Sequence, residues 1–310
     1  MSTSTKSPTG TKSRWSKIIW ISPTAIAALF LVVLLAKWLR EVPGGQSFLA
    51  DFPGHTELPE GAPVGLPAWL GWQHFLNMFF IVLIIRSGWL VRTTARPKVY
   101  WTRNHTGLIR TKNQPTKISL DLWLHLTLDA LWVINGIVFI MLLVATGQWV
   151  RIVPTSWDVV PNAASAALQY ASLNWPTEDG WVNYNSLQLL AYFTTVFIAA
   201  PLALITGLRM SPLWPTKAQT INRIFPITAA RAMHFPVMLY FVLFIIAHVT
   251  LVLATGALRN LNHMYASSDE GGWLGFWIFA ASLVVVIAAW LLAKPIFLQP
   301  IASLTGRFSR

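Results

Sequence analysis

Six stretches of about twenty mostly apolar residues recur along the chain, each the length that crosses a roughly 30 Å hydrocarbon layer as an α-helix. They fall at 19–38, 68–91, 122–148, 185–208, 229–256 and 273–296. None alternates apolar and polar residues over ten positions, as a transmembrane strand does. The pattern predicts an all-α integral membrane protein with six transmembrane helices. Long loops are expected at 39–67, 92–120, 149–184 and 209–228, and no internal repeat is visible. Residues 1–18, MSTSTKSPTGTKSRWSKI, are rich in Ser, Thr and Lys and are expected to form a disordered tail. The run 19–38 ends in AKWLREVPG without a small-residue cleavage site, so it reads as an uncleaved N-terminal anchor helix.

Composition agrees with this pattern. The 310 residues are 55% hydrophobic and 11% charged, where a soluble protein carries roughly a quarter charged residues. The net charge of +12 would suit a nucleic-acid partner if the basic residues formed one patch. Instead, eighteen of the 23 Lys and Arg lie in the N-terminal tail, in 92–120, in 209–231 and after 293, all on one side of a six-helix topology. Glu41, Asp51, Glu57, Glu60, Asp158, Glu178, Asp179, Asp269 and Glu270 lie on the other. The positive-inside rule then places both termini in the cytoplasm of a bacterial plasma membrane. The basic excess is topological, with some attraction to anionic lipid, and no nucleic-acid partner is expected.

The chain has no cysteine, which removes thiolate-held iron–sulfur clusters, covalent haem attachment and disulfides. No phosphate loop or dinucleotide fingerprint occurs, and GQWVRIVPTSWD and NLNHMYAS match no catalytic motif. The chemistry-bearing residues are therefore the histidines. His55, His105 and His263 fall in loops, while His74, His125, His234 and His248 fall in apolar helices, where an ionisable ring is costly and marks a candidate site.

His234 and His248 are fourteen residues apart, so they share a helix face within about 40° and lie about 21 Å apart along the axis. That distance is too long for two ligands of one metal and suits two centres stacked across the bilayer. The alternating topology puts His125 at the depth of His234, near the inner leaflet, and His74 at the depth of His248, near the outer one. A lone histidine in such a helix is commonly a hydrogen-bonded packing residue, but four at matched depths fit bis-histidine ligation of two b-type haems. A zinc or proton-relay site would normally bring clustered carboxylates, and Asp129 is the only acid deep in a helix. Gly88, fourteen residues after His74, and Gly136, about 20° off the face of His125, are candidates for haem clearance. They are also candidates for ordinary small-residue helix contacts.

One histidine on each of two successive helices, none on the next, and His-x13-His on a fourth resembles the di-haem cytochrome b subunits of hydrogenases, formate dehydrogenases and thiosulfate reductases. The histidine-free helix YNSLQLLAYFTTVFIAAPLALITGLRMSPLWP is similar to the cytochrome b561-type branch that accompanies sulfite-oxidase-like molybdopterin enzymes. The resemblance covers about residues 68–265. It implies a four-helix di-haem core at 68–256, with His74 and His248 on the outer haem and His125 and His234 on the inner one. It also implies electron transfer between quinone or quinol and a partner oxidoreductase, expected to be molybdopterin-dependent and extracytoplasmic. In this chain a helix precedes that core, which inverts it relative to the hydrogenase subunits.

Arg231, Arg86 and Arg209 are candidate haem-propionate contacts or simply interfacial anchors. Asp129, four residues after His125, is a candidate for quinone protonation, a contact to a ligand histidine, or a bond to Asn135. His263 is expected to be a solvated loop residue, with the lining of an outer pocket as the alternative. Two further functions stay open: a stand-alone oxidoreductase acting on superoxide or ferric ion, and a metal or proton transporter. A transporter would normally carry broken helices with midplane carboxylates, and the clearest breaker, Pro201, has no acidic companion.

Overall fold

A computed structural model describes residues 14–105, 115–175, 180–215 and 217–309. In chain order the elements are α1 (Arg14–Glu41), α2 (Pro43–Asp51), α3 (Ala68–Thr93), β1 (Tyr100–Arg103), β2 (Ile118–Ser119) and α4 (Leu120–Ala145), followed by a 3-10 turn (Gln148–Arg151). Next come α5 (Val159–Ala171), α6 (Ser186–Phe193), a π-helical turn (Thr194–Ala199), α7 (Ala200–Met210), α8 (Gln219–Ile224) and α9 (Ile227–Ala254). The chain ends with α10 (Ala257–Leu261), a second π turn (Asn262–Ala266), α11 (Leu274–Leu292), α12 (Pro295–Ser303) and β3 (Gly306–Ser309).

Six helical spans are long and apolar enough to cross a membrane: Ser22–Glu41, Ala68–Thr93, Leu120–Ala145, Ser186–Met210, Ile227–Ala254 and Leu274–Leu292. The protein is an all-α, multi-pass integral membrane protein. Residues 1–13 of the expected tail lie outside the described residues, and residues 14–18 are already helical. The last span stops at Leu292, short of 296, because Pro295 takes the first position of α12, where its missing N–H costs nothing. The fourth span contains the π turn immediately before Pro201. Proline supplies no N–H and its ring crowds the carbonyl four residues back; a wider turn relieves that crowding without ending the helix.

The long loops are not structureless. In the unit formed by residues 1–56, 156–177 and 185–187, α5 lies against α1, and Ala36, Val159, Ala163 and Ala166 on these helices are buried. Arg40 donates to Ser172 Oγ at 3.1 Å across this contact. Gly54, at a φ of +105° that only glycine adopts readily, donates its N–H to Asn162 Oδ1 and accepts from the Ser186 N–H, both at 2.9 Å.

The second unit holds residues 57–155, 178–184 and 188–310. Here α3 packs along α4, and α7 packs along α9. At the N-terminal end of α4 the chain forms an antiparallel sheet of order β2-β1-β3, with Tyr100 opposite Ser119 and Ser309. Trp101, Ile118, Trp123, Leu124 and Ala302 build one buried cluster there. Trp101 Nε1 donates to the Ala302 carbonyl at 2.9 Å, tying the sheet to α12. Ser119 caps α4 by accepting from the Leu122 N–H at 3.2 Å. This network anchors the helix that carries His125.

Candidate functional site: two histidine pairs

Four helix-borne histidines come together in two pairs within the second unit. The His74 and His248 ring centres are 6.1 Å apart at an interplanar angle of 46°. His125 and His234 are 6.4 Å apart at 81°. The pairing is the one expected from the topology. Among the described residues no three His, Cys, Asp or Glu side chains gather closely enough to hold a metal ion.

Local structure positions the His125 and His234 rings through Nδ1. His125 Nδ1 lies 3.0 Å from Ser87 Oγ on α3, and His234 Nδ1 lies 2.8 Å from Thr206 Oγ1 on α7. Both hydroxyls also sit on backbone carbonyls one helical turn back, Ser87 on Leu83 at 2.8 Å and Thr206 on Leu202 at 2.6 Å. The next residue in each case is a glycine facing the ring. A Cβ at Gly88 would lie 3.0 Å from His125 Cε1, and one at Gly207 would lie 3.4 Å from His234 Cε1.

The other pair is built differently. His74 Nδ1 lies 2.9 Å from the Tyr265 hydroxyl, which the second π turn delivers. That turn is clasped between helices at two glycines. A Cβ at Gly71 would lie 2.5 Å from the Met264 carbonyl oxygen, and one at Gly275 would overlap the Leu261 carbonyl. Buried Asn262 completes the clasp: its Nδ2 donates to the Glu270 and Gly272 carbonyls, and its Oδ1 accepts from the Gly275 N–H at 2.8 Å. His248 stacks on Phe244 at 5.6 Å and 5° and meets Tyr192 edge-on at 6.2 Å.

His263 is not a solvated loop residue. It is 3% exposed, packs against the Trp181 ring at 5.3 Å and a 45° tilt, and donates from Nε2 to Asp269 Oδ1 at 2.6 Å. The reason is that 257–266 is helical and pinned by Asn262, so the ring turns inward. The hydrogen bond from His263, with Arg259 beside it, holds the Asp269 carboxyl below the usual carboxylate range. Nearby, buried Arg151 donates to the carbonyls of Gly65, Trp181 and Gly180 and covers the Tyr184 ring at 4.9 Å. Burial pushes the Tyr184 hydroxyl up, with Arg151 pulling the other way. Tyr184 in turn meets Tyr192 at 5.1 Å.

The remaining candidates divide. Gly88 faces His125, as above. Beyond its own helix backbone and chain neighbours, a Cβ at Gly136 would come within 4 Å of no atom of the described residues. Asp129 Oδ2 lies 3.6 Å from His125 Nε2, ion-pair range but too long for a hydrogen bond. Asn135 is buried, and among the described residues its Nδ2 has no hydrogen-bond partner. Arg86 donates to the Ala293 carbonyl at 2.9 Å and covers Trp290, while Arg209 donates to the Phe225 carbonyl at 2.7 Å and covers Trp214. Arg231 is exposed on α9. Arg92 lays its guanidinium 4.0 Å over the ring of Phe235, the residue that follows His234.

Sequence reasoning overlooked Ser87, Thr206, Gly207, Tyr265 and Asn262. The shared hydroxyl–glycine dipeptides, Ser87-Gly88 and Thr206-Gly207, were no distinguishing signal, because the same dipeptide occurs at Thr146-Gly147, Thr255-Gly256 and Thr305-Gly306. The fold is that of a multi-pass helical membrane protein, and within it four helix-borne histidines meet in two pairs. No protein-family model, curated protein or solved structure matches the chain.

Proposed function

We propose that this chain is a membrane di-haem b-type cytochrome that passes electrons between the quinone pool and a partner oxidoreductase. The separation of the paired rings carries the reading. A metal held between two imidazoles, each at about 2 Å with about 1.1 Å more to the ring centre, would set those centres roughly 6.2 Å apart. The two pairs stand at 6.1 Å and 6.4 Å. A zinc site takes three or four protein ligands, which the twofold grouping does not supply. Bound haem supplies one-electron chemistry, and the protein contributes position and environment.

His74 and His248 would hold one haem and His125 and His234 the other, and along α9 His234 and His248 stand about 21 Å apart. Gly88 and Gly207 keep the space beside the His125 and His234 rings narrow but free of side chains. The Phe244, Tyr192 and Tyr184 rings continue from His248 toward the loop end that carries Arg151. The charge distribution supports a bacterial plasma membrane with both termini cytoplasmic. In that orientation the acidic loops face outward, the side on which a molybdopterin-type partner would dock. A stand-alone oxidoreductase of the same architecture would use the same four histidines; co-purification of a second subunit separates the two.

The test is a pyridine haemochrome assay with a dithionite-reduced spectrum on the purified chain. Two b haems per chain are expected, falling toward one for His74→Ala and for His125→Ala separately. A folded chain without haem in the wild type would end this reading and favour histidine-based transport.

A further inference from the structure

We infer that Ser87 and Thr206 lock His125 and His234 in the Nδ1–H tautomer, so that each ring presents a bare Nε2 as a ligand. The two residues form matched positioning devices on α3 and α7. The assignment as haem ligands rests on the function proposed above; the tautomer itself follows from hydrogen-bond accounting.

Each hydroxyl has one proton to place. Thr206 Oγ1 stands 2.6 Å from the Leu202 carbonyl and 3.1 Å from that of Ala203. Ser87 Oγ stands 2.8 Å from the Leu83 carbonyl and 3.1 Å from that of Ile84. Two oxygens at 2.6–2.8 Å with no proton between them repel, whereas with a proton they form an ordinary O–H···O bond. The hydroxyl proton is therefore spent on the carbonyl, the back-bonding typical of Ser and Thr inside helices. What remains toward the ring is a lone pair, and only an N–H can satisfy it. Both rings must then carry their proton on Nδ1, and the neutral imidazole leaves Nε2 unprotonated. That is the form a metal-ligating histidine takes, and the bond at the far nitrogen also raises its basicity.

At His125 one group pulls the other way. The Asp129 carboxylate lies on the Nε2 side and would favour an N–H there. Its 3.6 Å distance exceeds hydrogen-bond reach, while Ser87 at 3.0 Å is within it. The nearer partner decides. The His74 ring has no such lock, because the phenol of Tyr265 can donate to Nδ1 or accept from it. Mirrored construction on two helix pairs also explains the dipeptides: the hydroxyl orients the ring, and the adjacent glycine lets it approach.

The test compares Thr206→Val, which keeps the shape and loses the hydroxyl, with Thr206→Ser, which keeps the hydroxyl and loses the methyl. Haem retention and the midpoint potentials are measured on full-length protein, with Ser87→Ala as the second site. Thr206→Val is expected to weaken retention of one of the two haems by about 10–100-fold and to raise its potential, because a less basic imidazole stabilises the ferric state less. Thr206→Ser is expected to match the wild type in both. If Thr206→Val is silent and Thr206→Ser is the impaired variant, the side chain acts by packing and the inference falls. If the wild-type chain carries no haem, the electron-transfer reading fails separately and ring nitrogen-15 shifts decide the tautomer. Protonated Nδ1 at both histidines upholds the lock, and protonated Nε2 overturns it.

Discussion

Replacing Gly88 by alanine probes how tightly the His125 ring is held. The new Cβ would sit 3.0 Å from Cε1, 3.5 Å from Nδ1 and 3.7 Å from Nε2. Carbon atoms prefer about 3.5–4.0 Å, so the ring must retreat by about 0.5 Å. Its Nδ1 bond to Ser87 starts at 3.0 Å, and the same displacement stretches it to about 3.5 Å, the edge of hydrogen bonding. Losing the bond costs about 1 kcal/mol and overpacking about 1–3 kcal/mol, while alanine in place of glycine in a helix returns roughly 1 kcal/mol. The net is a destabilisation of about 1–3 kcal/mol. At Gly207 the corresponding contact is 3.4 Å, already ordinary, so alanine there is expected to be neutral or mildly stabilising. Thermal unfolding in lipid nanodiscs, followed by intrinsic fluorescence, should place Gly88→Ala below Gly207→Ala by on the order of 5 °C. Equal melting points, or the reverse order, would refute the idea that α3 presses on the His125 ring harder than α7 presses on His234.

Asn262→Ala removes three hydrogen bonds that tie 270–275 to the π turn, at about 1–3 kcal/mol for each buried group left unpaired; amide exchange in 262–275 should rise while the spans keep their protection, and unchanged exchange would show the clasp to be redundant. Because the folded Asp269 carboxyl titrates below its unfolded value, its contribution is present above about pH 4 and is lost as pH falls through the folded value. Trp181 fluorescence should therefore change on acidification below pH ~4, and Asp269→Asn should abolish that step. Gly136→Ala meets no described atom within 4 Å, so helicity by circular dichroism should hold; a fall in haem content in the same variant is the outcome expected if a macrocycle edge passes that face.

Hydrophobic periodicity and charge carried the reading of the spans, because a membrane helix is defined by solvent and length, both of which are local in sequence. The four histidines were legible for the same reason: an ionisable ring in hydrocarbon stands out, and helical rise converts spacing into depth. Partners of those rings were not legible. Ser87 stands 38 residues from His125, and Thr206 stands 28 from His234, and a hydroxyl inside a span is ordinary in composition. Nothing local marks which of many Ser and Thr residues meets a histidine. His263 was misplaced on similar grounds, since its burial depends on Asn262, on Trp181 from a distant loop, and on glycines in two helices.

The two pairs differ in what holds them, and that difference has mechanistic weight. His125 and His234 are oriented by hydroxyls belonging to transmembrane helices, each bonded back to its own backbone. Their geometry can change only if α3 slides on α4 or α7 on α9. His74 instead takes its bond from Tyr265, on a π turn whose position depends on Asn262 and the segment 267–275. Anything that moves that segment, such as a protein docked on the loops, reaches Nδ1 of His74 through one hydroxyl and leaves the other pair untouched. In an electron carrier this makes the His74–His248 site the adjustable end and the His125–His234 site the invariant one. Tyr265→Phe should then shift one redox midpoint and leave the second in place, as measured by potentiometric titration of the reduced spectrum. A shift of both midpoints together would show that the two sites do not titrate independently.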